Sequence, residues 1–265
     1  MTWGASDSLD RVLRPASIAV IEAGPEGDFF GPRIRRNLGK GGFGGAVFRV
    51  TPGTKRRGSR LAYTSLSDIG QDLDLAVISA PLPSVPHLIH ACSQAGVAGA
   101  VILPPLGDAT AEQTRAIETR ILKQIKSPGI RIIGLNSVGI LCPHAKFNAS
   151  LLRPMPLTGK VAFISQSRSL CEAILDHARQ ERVGFSHFVC VGSMLDVDIG
   201  DLINYFGSDP AVRSILFYVE RLTRVRKFIS ASRSAARTKP IVALKPYRDR
   251  HGAAMGASVT ASDAL

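Results

Sequence analysis

Short apolar runs rich in Val and Ile alternate along the chain with stretches in which apolar residues recur every three or four positions. This alternation is typical of βαβ units and of parallel sheets. A first series predicts strands at residues 17–23, 46–51, 73–80, 99–104 and 131–135. It predicts helices at residues 32–38, 85–95 and 110–126.

A second series follows residues 143–158, which contain three prolines, show no clear period and are interpreted as a linker. It predicts strands at 160–165, 185–191, 214–219 and 241–245, and helices at 169–181, 199–206 and 224–237. The economical fold is two α/β domains, residues 1–142 and 159–265, each with a doubly wound parallel sheet. Ligands in such sheets bind at the carboxyl ends of the strands, where the strand order reverses.

The composition predicts a folded protein without a membrane anchor. Hydrophobic residues make up 45% of the 265 residues, enough for one large core or two ordinary ones. No apolar stretch approaches the roughly 20 residues that cross a bilayer, and the first ten residues do not resemble a secretory signal. We therefore expect a cytoplasmic location. The four cysteines are scattered without a CxxC pair, which favours buried thiols and no metal site.

The net charge of +12 makes a polyanion a plausible partner: nucleic acid, lipid headgroups or a phosphate-rich cofactor. A single-stranded nucleic acid site would need aromatic side chains interleaved with the basic ones. Tyr and Phe do not accompany the Arg clusters here, so nucleic acid is disfavoured.

Two loops of the first domain are candidates for binding a phosphorylated ligand. Ala23 and Gly24 follow the first predicted strand, and Gly31 precedes a helix whose N–H groups could hold an anion, although Glu22 adds negative charge and the spacing is not GxGxxG. After the second strand, Lys55 and Arg56 would suit a ribose phosphate, as in CoA or NADP. An ordinary strand-to-helix turn and a solvated basic turn are equally consistent with these patterns.

The stretch from Ser165 to Ser169 joins a strand to a helix in the second domain. Its hydroxyl and amide groups could cap the helix or border an anion. A nucleophile is disfavoured because the glycines of G-x-S-x-G are absent. His251 follows the last predicted strand, where a base or phosphate carrier could reach the cleft, whereas the other histidines fit surface or hydrogen-bonded core positions. Residues 261–265 look like the start of a helix, which predicts a fragment of a longer protein.

Several motifs, in this order, resemble those of NDP-forming acyl-CoA synthetases and, more distantly, the succinyl-CoA ligase α subunit. They are Arg14-Pro15, 17–21, Asn37-Leu38, 42–45, 74–78, 136–139, 162–167, 184–186 and 218–220. Others are similar to the large bacterial protein lysine acetyltransferases, which join such a region to a GNAT domain. These are 148–150, 159–160, 174–176, 196–198 and 230–235.

The resemblance implies a Rossmann-like CoA-binding domain followed by a flavodoxin-like (succinyl-CoA ligase-like) domain. It implies that CoA or acetyl-CoA binds the first domain, with its phosphates near Ala23, Gly24 and Gly31 and its ribose phosphate near Lys55 or Arg56. The adenine or pantetheine would border three strand-end residues, Ser79, Pro81 and Pro104.

In active synthetases the second domain carries phosphate on a histidine in a Ser-His-Thr-Gly context. No such motif follows Lys245 here, where residues 256–261 read Gly-Ala-Ser-Val-Thr-Ala. We therefore expect no catalytic residue, and a vestigial anion site formed by Ser165, Gln166, Ser167, Arg168 and Glu220.

These expectations define two hypotheses about function. The first is a catalytically degenerate, CoA-binding regulatory region of a lysine acetyltransferase, whose ATP-grasp-like and GNAT domains would follow in the same chain. The alternative is a working ADP-forming synthetase α-type region that uses a phosphohistidine, such as His251, with an ATP-grasp partner. Either could form a homo-oligomer.

Overall fold

In a computed structural model of the chain, residues 5–22, 30–53, 62–103, 110–125, 129–248 and 254–262 are described. They form two sheets, one in each half of the chain.

The first sheet has six parallel strands in the order β3-β2-β1-β4-β5-β6. The strands are β1 Ser17–Glu22, β2 Ala46–Val50, β3 Ala62–Tyr63, β4 Leu75–Ser79, β5 Gly99–Ile102 and β6 Arg131–Ile133. The helices are α1 Ala5–Leu13, α2 Gly31–Gly41, α3 Val85–Gln94 and α4 Ala111–Gln124. Every residue of β1, β4 and β5 is buried, which explains their continuous apolar sequences. The order reverses between β1 and β4.

The second sheet has seven strands in the order β13-β12-β11-β9-β10-β7-β8. The strands are β7 Gly139–Cys142, β8 Phe147–Ser150, β9 Thr158–Ser165, β10 Phe185–Cys190, β11 Ser214–Tyr218, β12 Ile241–Arg248 and β13 Ala254–Ser262. The helices are α5 Arg168–Gln180, α6 Ile199–Ser208 and α7 Val225–Ala235. The four central strands are parallel, and β7, β8 and β13 pair antiparallel at the edges. The order reverses between β9 and β11.

The predicted α/β fold class, with two doubly wound sheets, is confirmed, and two local predictions are corrected. Residues 143–158, interpreted as a linker, contain β8, which pairs with β7 and extends the second sheet. Residues 261 and 262 end β13 and do not begin a helix, because their backbone pairs with β12.

The two domains share one apolar core. Val20 and Leu38 of the first domain belong to the same buried cluster as Phe147 and Phe163. Polar contacts surround this core: Arg14 pairs with Asp209, and the amide of Asn37 donates to the carbonyls of Ser150 at 2.8 Å and Leu152 at 3.2 Å. A contact that positions β6 against the second domain comes from Arg131, whose Nε lies 2.9 Å from Asp196 Oδ2.

Candidate functional site

The first crevice lies at the carboxyl ends of β1 and β4. Glu22, the last residue of β1, is in register with Ser79, the last residue of β4, and both are buried. Gly31 begins α2 at the same carboxyl end of the sheet, with Pro32 and no acidic residue in the first turn. A helix N-terminus at a topological switch point is where parallel α/β sheets bind phosphates.

The structure places three of the eight predicted CoA-binding residues. Gly31 and Ser79 lie at the first crevice, whereas Pro81 is exposed at the start of a short 3-10 turn that leads into α3. The other five lie outside the described residues: Ala23, Gly24, Lys55, Arg56 and Pro104. Their roles stay predictions.

A buried ion-pair cluster at this crevice was not predicted. The side chain of Glu22 is 4% exposed, and its Oε2 accepts a hydrogen bond of 2.7 Å from Arg49 Nε on β2. Its other oxygen pairs with Arg35 on α2. Burial, and then the charge of Arg49, lower the pKa of Arg35. The carboxylate therefore offsets the repulsion between two neighbouring guanidinium groups.

The second crevice lies where β9 and β11 end side by side, with Ser165 in register with Tyr218. Gln166 bridges the two strand ends. Its amide oxygen accepts hydrogen bonds from the backbone N–H groups of Glu220 and Arg221, and its amide nitrogen donates to the Arg221 carbonyl at 2.8 Å. The oxygen and the nitrogen of the Gln166 amide, which was predicted to belong to an anion site, are thus both hydrogen-bonded within the protein. Gln166 therefore fixes the shape of the loop.

The two serines of the loop also bind within it. Ser165 Oγ donates to the Ser167 carbonyl and accepts from the Ser167 N–H, both at 3.0 Å. Ser167 is the N-cap of α5, where its hydroxyl accepts from the Leu170 N–H at 3.3 Å. The N–H groups of Arg168 and Ser169 have no acceptor among the described residues. The loop therefore caps a helix and leaves two backbone donors for an anion.

Charges of both signs flank these donors. Arg168 is half-buried at the first position of α5, and Glu220 is exposed just beyond the end of β11. The five residues predicted to form the vestigial anion site thus come from one switch point, but Ser165 and Gln166 are buried beneath it.

A pair of thiols lies beneath the same loop. Cys190 ends β10 in register with Ser165, and Cys171 donates its backbone N–H to the Ser167 carbonyl. Burial raises the pKa of the Cys171 thiol, which opposes formation of a nucleophilic thiolate. All four cysteines are free and buried, as predicted.

The described residues contain no group of three His, Cys, Asp or Glu side chains placed to hold a metal ion. None of their helices combines the length and apolar character needed to cross a membrane.

Each of the two domains matches a known protein family. Residues 16–143 match the family described as CoA binding domain, and residues 158–265 match the succinyl-CoA ligase like flavodoxin domain. The chain joins a CoA-binding domain to a succinyl-CoA ligase-like domain. Together they resemble the α-type region of ADP-forming acyl-CoA synthetases.

CoA ligases are among the relatives of this two-domain chain. The α subunit of the ADP-forming acetate–CoA ligase II of Pyrococcus furiosus is 34% identical over 254 residues, covering 96% of this chain and 55% of that protein. The ADP-forming acetate–CoA ligase of Methanocaldococcus jannaschii is 33% identical over 260 residues, covering 98% of this chain and 36% of that protein.

A solved structure shares the same fold. The dinucleotide-forming acetyl-coenzyme A synthetase 1 of Ca. Korarchaeum cryptofilum, in complex with phosphate and ADP, has a TM-score of 0.83 and 34% identity over 92% of this chain and 53% of that chain. The chain therefore spans about one third to one half of the length of these relatives.

Proposed function

We propose that this two-domain chain is the CoA-binding, α-type region of an ADP-forming acyl-CoA synthetase. The observation that carries the proposal is the 34% identity to the Pyrococcus furiosus α subunit over 254 residues, which span both domains of this chain. The helix N-terminus at each switch point supports it. The first crevice supplies the CoA site and the second an anion site. The reaction would join an acyl group to CoA while a nucleoside triphosphate bound by an ATP-grasp partner gives up its terminal phosphoryl group and leaves as the diphosphate, with phosphate released. In the reverse direction the thioester would be cleaved and the phosphoryl group would pass to the diphosphate.

Our first hypothesis, a degenerate region attached to a GNAT-type lysine acetyltransferase, receives less support. It rests on short motifs, whereas the relatives reported above are ligases and synthetases. Its strongest argument is the missing phosphate carrier. Val259 stands in the Ser-Val-Thr-Ala segment, within β13, and pairs with Leu244 of β12. His251, the alternative carrier, lies outside the described residues.

CoA binding tests the common part of both hypotheses. Calorimetry should detect CoA binding to the chain, and replacing Lys55 and Arg56 with Ala should weaken CoA more than dephospho-CoA, because the lost partner is the ribose phosphate. Equal loss for both ligands would contradict the assignment of that loop.

Phosphorylation separates the two hypotheses. With acetyl phosphate as donor, a working relay should transfer one phosphoryl group to a histidine, releasing acetate and leaving an acid-labile, base-stable label that His251→Ala abolishes. A chain that binds CoA but never acquires this label would favour the degenerate region. As a further check, the chain alone should transfer no acetyl group from labelled acetyl-CoA to lysine.

A further inference from the structure

Glu22 is a buried carboxylate at the edge of the sheet where we place the CoA phosphates. It ends β1 beside Ser79, and α2 begins at the same edge. Its side chain is 4% exposed, whereas those of Arg35 and Arg49 are 28% and 40% exposed. The carboxylate is therefore buried, whereas both arginine side chains are partly exposed.

The two arginines have the chemistry of a phosphate site. A guanidinium group binds a carboxylate or a phosphate with the same fork of N–H donors. Arg35 lies on α2 little more than one turn from its N-terminus, and Arg49 lies on the strand next to β1. Glu22 thus occupies, with its own oxygens, N–H donors of Arg35 and Arg49 that are chemically suited to a phosphate.

We infer that Glu22 is an affinity-determining residue of the CoA site, acting as an internal competitor of the ligand phosphates for Arg35 and Arg49. The inference rests on the proposed CoA-binding function. A phosphate that approaches the crevice must share the two arginines with a carboxylate that cannot leave, and it is repelled by that carboxylate. CoA then binds more weakly than the basic residues around the crevice would allow.

Replacing the carboxylate with an amide tests this role. Glu22→Gln keeps the shape of the side chain, removes its charge and releases the two guanidinium groups for a ligand. We expect CoA to bind about tenfold more tightly. At a partly solvated site, the repulsion between like charges several ångströms apart weakens binding by about that factor. The gain should shrink at high salt, because ions screen the interaction.

Two controls isolate the local effect. Glu181→Gln makes the same chemical change on an exposed residue after α5 and should leave CoA affinity unchanged. Adenosine carries no phosphate, so Glu22→Gln should not improve its binding. A gain for adenosine equal to that for CoA would overturn the electrostatic argument.

The result for the natural chain separates the inference from the proposed function. If neither the natural chain nor the variants bind CoA, the proposed function fails. If the natural chain binds CoA and a folded Glu22→Gln protein binds it equally or more weakly, Glu22 is not a competitor and the inference is wrong. Thermal unfolding reports whether each variant folds. Should the buried amide prevent folding, Glu22→Ala removes the same charge without leaving a polar group, and the same outcomes decide.

Discussion

Acid should destabilise this fold through one buried imidazole. His187 on β10 is 1% exposed and packs against the rings of Phe206 and Tyr205, with centroid separations of 4.9 and 6.4 Å. Among the described residues, neither ring nitrogen of His187 has a hydrogen-bond partner. The charged and titratable groups near it are Arg14, Asp209 and His144. A proton on this ring would therefore place an unsolvated charge in an apolar layer.

The size of the effect follows from the pKa of His187. Burial, and then the charge of Arg14, lower it from 6.5 to about 4. Between these pH values the unfolded chain binds more protons at this position than the folded one. The contribution of His187 to the free energy of unfolding is therefore complete above pH 6.5 and is lost as the pH falls towards 4. The interval corresponds to about 3 kcal/mol, a large part of the stability of an ordinary domain.

Urea unfolding at a series of pH values measures this contribution. The natural chain should lose about 3 kcal/mol more than His187→Phe between pH 7 and pH 4, because the phenyl ring keeps the packing and cannot bind a proton. His177→Phe, on the exposed face of α5, should behave like the natural chain. Parallel pH profiles for the natural chain and His187→Phe would refute the argument.

Three further substitutions test the packing around the crevices. Ser167→Ala removes the cap of α5 and should cost about 1 kcal/mol in thermal unfolding, without changing CoA affinity. Asn37→Ala removes the amide that donates to the Ser150 carbonyl and accepts from Arg153 Nε, while the Leu152 carbonyl keeps Asn148 as a donor, and urea unfolding should show a loss of about 2–3 kcal/mol. Gly192→Ala should prevent normal folding, because a Cβ there would lie 1.9 Å from the Leu135 carbonyl oxygen. Gly53→Ala is the control: its φ is +77°, and no atom of the described residues lies within 4 Å of an added Cβ. Circular dichroism should therefore show a folded protein that has lost only about 1–2 kcal/mol.

The strands buried on both faces could be predicted from the sequence, because burial demands continuous apolar runs such as those of β1 and β4. The hairpin of β7 and β8 could not. Asn148 and Ser150 are polar, yet they are buried in β8 because the Ser150 hydroxyl donates to the Asn148 amide oxygen at 2.6 Å. A hydrogen bond between two buried polar side chains leaves no periodic pattern of apolar residues in the sequence.

The candidate site was predictable in position but not in detail. Strand ends and helix starts identified both crevices, since the topology of a doubly wound sheet fixes where its ligands bind. The partners of Glu22 could not be predicted, because they lie on other elements and meet it only in the folded chain. His187 was expected to be a surface residue or a hydrogen-bonded core residue, and it is buried with no hydrogen-bond partner in the part of the chain that the structure describes.

The hairpin determines how this protein can be divided. Its first strand follows the CoA-binding domain directly, yet it belongs to the sheet of the other domain, and its second strand is tied to α2 through Asn37. A gene split after residue 142 would separate β7 from β8 and expose apolar side chains on both pieces. The two halves are consecutive in sequence but form one mechanical unit, so neither should be stable when expressed alone from that boundary.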